Sequence, residues 1–99
     1  MPSDPVFSLK GLRKTLGLAQ ADMASRMGLS LRPYQQLELN PGNVRKRHVR
    51  LAETVAQDVA IEQKDPELAP ASVRKKAMEL VRLILRDNAR ELADNQADR

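Results

Sequence analysis

The sequence has no cysteine and no tryptophan, and Tyr34, Phe7 and His48 are its only tyrosine, phenylalanine and histidine. Without cysteine, disulfides, thiolate-bound zinc and a thiol nucleophile are all excluded. One imidazole with no cysteine gives no basis for a metal site. There is no phosphate-binding glycine loop and no paired acid/base motif. Carboxylates such as Asp22, Glu38 and Glu53 are scattered, so neither catalysis nor a cofactor is expected. No long apolar run and no basic leader occurs at the N-terminus, so no signal peptide or membrane span is expected and the reading is a cytoplasmic chain. With aromatics so scarce, the core has to come from Leu, Val, Met and Ala. Few windows alternate apolar with polar residues, which argues for helices and against a sheet.

Of the 99 residues, 17 are Lys or Arg and 13 are Asp or Glu, a net charge of +4. The excess is uneven. Residues 1–58 hold nine basic and five acidic side chains, and residues 59–99 hold eight of each. A basic front half followed by a neutral back half suggests a polyanion-facing module with a separate extension.

Helix signals recur along the chain. Asp4 and Pro5 read as an N-cap and N1 proline, followed by Leu9, Leu12 and Leu16 at helical spacing and Gly17 as the stop. Met23, Ala24 and Met27 give a second helix one apolar face, ended by Gly28. A third helix is expected from Ser30 to about Leu39, stopped by "NPGN". A fourth is expected from about Lys46 to Gln63, with Val44, His48, Leu51, Ala52, Val55 and Val59 on one face. "KDPELAP" reads as a hinge or short linker. The run that follows has no Gly or Pro and takes Ser72 as its N-cap.

Pro33 sits inside the expected third helix, where an interior proline costs about 3 kcal/mol. With Ser30 as N-cap, Leu31 is N1, Arg32 is N2 and Pro33 is N3. All three lie in the first turn, whose N–H groups have no intrahelical partner. The proline then breaks no helical hydrogen bond, and the Ser30 hydroxyl is left only the Arg32 N–H to cap.

Gln20, Ala24 at a helix crossing, Gly28 at a left-handed turn, and Leu29, Tyr34 and Leu37 at the apolar positions together resemble the helix-turn-helix of the phage Cro and repressor family, the xenobiotic-response-element type. "LKGLRKTLGL", Leu37–Glu38 and "LAETVA" extend the resemblance over roughly residues 9–56. It implies an all-α, lambda-repressor-like domain of four to five short helices, to which this chain adds a C-terminal amphipathic helix. It also implies an ion pair between Arg13 and Glu38. Ala19 departs from the pattern, since Thr or Ser is usual as the N-cap there. His48 stands where Leu is common, and its spacing turns it inward or to the core edge. The turn after Glu38 is also longer than usual.

The resemblance implies a sequence-specific regulator of double-stranded DNA, a repressor acting at the nucleoid. The first two turns of a recognition helix face base edges in the major groove. Those positions are Leu31, Arg32, Gln35 and Gln36. Arg suits guanine, Gln suits adenine, and Leu can pack on a thymine methyl. Gln20, Ser30, Asn43, Arg45 and Lys46 are the candidates for phosphate contact, which sets affinity and orientation rather than sequence.

In the last helix, Val73, Ala77, Leu80, Val81, Ile84, Leu85 and Leu92 form a wide apolar stripe, broadened by Met78 and Leu83. A stripe this wide is expected to be buried. Leu80, Val81, Ile84 and Leu85 are the candidate dimerisation residues, giving a homodimer on a (pseudo)palindromic operator. The competing reading is an antitoxin or antiactivator whose C-terminal helix grips a protein partner. The expected organisation is a DNA-binding domain over 1–63, a linker over 64–71 and the dimerisation helix over 72–99.

Overall fold

A computed structural model of the chain describes residues 7–97, with side chains to residue 93. Five α-helices follow one another: α1 (Leu9–Leu16), α2 (Gln20–Met27), α3 (Leu31–Leu39), α4 (Lys46–Glu62) and α5 (Ala71–Ala97). One 3₁₀ turn, Pro41–Asn43, joins α3 to α4, and another, Pro66–Leu68, joins α4 to α5. No strand occurs among the described residues. The all-α expectation holds.

The first four helices close around Met23 and Tyr34, both fully buried. Leu9, Leu16, Ala24, Met27, Ala52, Val55, Ala56 and Val59 complete the centre, and Leu12, Leu18, Leu29 and Leu37 seal its rim. Ala24 is buried on the inner face of α2. His48 is buried, whereas Leu51, expected on the same face, lies at the exposed edge.

Three helices stop in the same way. After α1, Gly17 takes φ 72° and the Leu18 N–H returns to the Arg13 carbonyl at 3.2 Å. After α2, Gly28 takes φ 76° and the Leu29 N–H returns to the Ala24 carbonyl at 2.9 Å. These are left-handed C-caps, where glycine carries no Cβ penalty. After α4 the same bond runs from the Asp65 N–H to the Ala60 carbonyl at 2.9 Å, but the left-handed residue is Lys64, at φ 55°.

The helix starts differ more from expectation. Asp4 and Pro5 lie outside the described residues, and α1 begins later than they imply. Ser8 is extended and its hydroxyl accepts from the Gly11 N–H at 2.9 Å, so Ser8 is the cap. Ser30 precedes α3, but its hydroxyl caps nothing, because Pro33 removes the N3 N–H that such a cap ordinarily accepts from. Ala19 makes no side-chain cap either. Ser72 is not a cap: α5 begins one residue earlier, and the Ser72 hydroxyl donates to Glu53 Oε2 at 2.7 Å. The stretch expected as a hinge is an ordered turn, in which Asp65 accepts from the Glu67 N–H and Ala69 is buried against Ala60 and Val73.

Candidate nucleic-acid interface

Glu38 is the hub that joins α1, α2 and α3. Arg13 Nε donates to its Oε2 at 2.7 Å and Arg13 Nη2 donates to its Oε1 at 3.1 Å, a two-point grip. Gln20 Nε2 donates to Oε1 at 3.0 Å, and the Tyr34 hydroxyl donates to Oε2. The remaining Arg13 amine donates to the Leu18 carbonyl at 3.0 Å, tying the hub to the turn between α1 and α2. The Glu38 side chain is 4% exposed and that of Arg13 13%. A partly exposed pair would be worth about 1 kcal/mol. This one is more enclosed, so removing one partner strands a buried charge, which costs about 3–5 kcal/mol.

Burial alone would raise the Glu38 pKa. The hydrogen bonds from Arg13, Tyr34 and Gln20, with the Arg13 charge, outweigh it and hold the carboxyl at about 2. Tyr34 is pushed up, first by its own burial and then by its bond to Glu38.

The candidate base-facing residues fall into two groups. Arg32 and Gln36 are exposed on the first two turns of α3, and Leu31 is 43% exposed beside them. Gln35 is partly buried, and its Nε2 donates to Gln20 Oε1 at 3.1 Å. Asn40 Nδ2 reaches back to the Gln36 carbonyl at 3.2 Å and to Gln36 Oε1 at 3.4 Å. Lys10, Gln20, Arg32, Gln35, Gln36 and Glu38 line an open cleft of about 440 Å³ beside α3, which Leu39 completes. Lys10 was not among the sequence candidates. Its place beside α3 depends on how α1 packs, and no local motif marks it.

The candidate phosphate residues also divide. The Gln20 side chain is turned into the hub, which leaves its backbone N–H at the start of α2 as the group able to meet an anion. Ser30 is exposed at the turn between α2 and α3. Asn43 is exposed in the 3₁₀ turn, and Arg45 and Lys46 are exposed at the start of α4. No acidic side chain lies in the first turn of α4, so these cations face its positive dipole end unopposed.

That helix start is secured by His48. The Arg45 N–H donates to His48 Nδ1 at 2.8 Å, so an imidazole at N3 does the work usually given to Glu or Gln. Burial lowers the His48 pKa, and the nearby charges of Arg47 and Arg45 lower it further. The spacing points His48 inward or to the core edge; its burial and its capping role show only in the structure.

Leu80, Val81, Ile84 and Leu85 lie on α5, away from this surface. Leu80, Val81 and Leu85 are exposed and Ile84 is 48% exposed; of the stripe expected to be buried, Val73 is buried and Ala77 and Leu83 are half-buried, while the rest is uncovered in the single chain. Within the described residues no group of three or more His, Cys, Asp or Glu gathers as a metal site, and no helix is long and apolar enough to cross a membrane. The chain matches no protein-family model, no curated protein and no solved structure.

Proposed function

We propose that the protein is a sequence-specific DNA-binding regulator acting at the nucleoid, a dimeric repressor whose α3 enters the major groove. The observation that carries this reading is the exposed row of Leu31, Arg32 and Gln36 on a helix locked to α1 and α2 through Glu38. Base reading needs side chains of these types on a rigid mount. Asn43, exposed in the turn after α3, and Arg45 and Lys46, exposed at the start of α4, add groups suited to phosphate, on a half-chain that carries all of the net positive charge.

Selection of binding sites from random duplex DNA, followed by fluorescence titration, tests it. One enriched sequence is expected. Arg32→Ala and Gln36→Ala should each cost about 1–3 kcal/mol on that site and relax its sequence at separate positions. Arg45→Ala and Lys46→Ala should weaken binding evenly across sequences and flatten the salt dependence. Failure to enrich any sequence would sink the reading.

The second reading, an antitoxin or antiactivator gripping a protein partner, draws support from the uncovered stripe on α5. A stable hetero-complex with a monomeric chain would favour it.

A further inference from the structure

The first turns of α5 pack on the body of the protein through Val73, buried against Ala60 and Ala69, and beyond it Leu80 lines a cleft with Arg50 and Glu53 of α4. At 3.6 residues per turn, Val73, Ala77 and Leu80 share one face of the helix. Met78, Val81, Leu85, Asn88 and Leu92 share another, rotated from the first by roughly a quarter turn. Their spacing is three, four, three and four residues, the repeat of a coiled-coil seam. The four apolar members are 68%, 44%, 62% and 63% exposed, in that order. The face that reaches the body through Val73 and the seam are thus different faces, although Leu80, at the far end of the first, is itself 60% exposed.

We infer that this second face pairs with the same face of a second copy, with the two α5 helices running parallel. The inference rests on the reading of α5 as the dimerisation element and adds its seam and direction. Monomers rarely leave contiguous apolar surface beyond a few hundred Å² in water. A standard interface takes roughly 800 Å² from each partner. A helix pair in contact over only the ~21 Å from Met78 to Leu92 covers less than that even with the aliphatic stem of Arg82, which places it at the weak end of stable pairs and sets the micromolar concentration at which it is tested.

Asn88 sets the direction. In a parallel pair in register each Asn88 meets its own mate, and two amides satisfy each other. An antiparallel pair that overlaps the apolar stretch sets Asn88 against Val81 or Leu85, where a buried amide has no partner. Parallel pairing also leaves both helix-turn-helix bodies at one end of the pair.

The natural chain has no cysteine, so single cysteines report the pairing directly. Met78→Cys and Leu92→Cys, each alone and each checked for helical content, are exposed to mild oxidant at micromolar concentration without DNA. Both should form disulfide-linked homodimers, whereas Arg86→Cys and Arg90→Cys, outside the seam, should link at least tenfold less. Light scattering should give two chains per particle. Linking only in a mixture of the two variants would mean antiparallel pairing and overturn the direction while leaving the dimer. A monomer that links at neither position would overturn both, and would leave the face to a different protein. In the Asn88→Leu background the mixed product should rise; no rise would remove Asn88 as the orienting residue.

Discussion

Glu38 keeps its charge where water scarcely reaches, and the four donors around it make that possible. Its carboxyl is held at about 2, against an ordinary value of 4.5. A depressed carboxyl adds stability that is complete above the unfolded pKa and is lost as pH falls through the folded one. For Glu38 this amounts to roughly 3 kcal/mol at neutral pH, fading between about pH 5 and 2. Glu38→Gln should lower the denaturant-derived stability by about that amount at pH 7, with the gap to the parent closing as the solution is acidified. His48 acts at a higher pH. Its pKa is depressed, so folding favours the neutral ring, and protonation removes the Nδ1 acceptor that holds the Arg45 N–H. Stability is complete above the ordinary histidine value and declines as pH falls through the lowered one. His48→Gln keeps an acceptor at N3 without a titrating ring, so its melting temperature should stay flat across the window where the parent's declines.

At the scale of elements, two helix ends have room to improve. α2 has no side-chain cap because residue 19 is alanine. Ala19→Ser should raise stability by about 1 kcal/mol. α4 ends on Lys64 in the left-handed region, a conformation that costs a non-glycine residue roughly 1 kcal/mol. Lys64→Gly should recover a similar amount. Both are read from the thermal midpoint, and a fall in either variant would contradict the geometry. These two ends also show what the sequence makes legible. Gly17 and Gly28 announce their turns because glycine is the residue such turns prefer, while Lys64 makes the same turn unannounced. Ala24 and Met23 are readable as core from helical spacing, and Tyr34 from its place in the resembled pattern. The hub is not, beyond Arg13 with Glu38. Gln20 lies 18 residues from Glu38 and 15 from Gln35, and no local pattern couples residues so far apart. The start of α1 is likewise hidden, since Asp4–Pro5 gives the stronger signal and Ser8 the actual cap.

On the scale of the molecule, the chain is long for its mass. It extends 63 Å along its major axis with a radius of gyration of 18.2 Å, against about 13 Å for a compact chain of this size. Most of the excess is α5, whose one buried side chain among the described residues, Val73, lies in its first turn. Core stability and the stripe are therefore separable. A chain ending at Ala77 should keep the parent's thermal midpoint within about 3 °C when both are measured dilute enough to be monomeric, while losing self-association in light scattering. A large drop in the midpoint under those conditions would mean that the distal half of α5 supports the body.

The hub also has a direction. Ionised Glu38 offers oxygens and no protons, so Gln20 must present its amide nitrogen inward. Its oxygen then points at Gln35, which must answer with a nitrogen of its own. One proton of the Gln35 amide is thereby committed, and what remains for any ligand is its oxygen and a single proton. The buried charge thus chooses which end of a more outlying amide faces in, across two side chains. Neutralising Glu38 would let both amides reverse, so the chemical selectivity of Gln35 can degrade while the helices still stand.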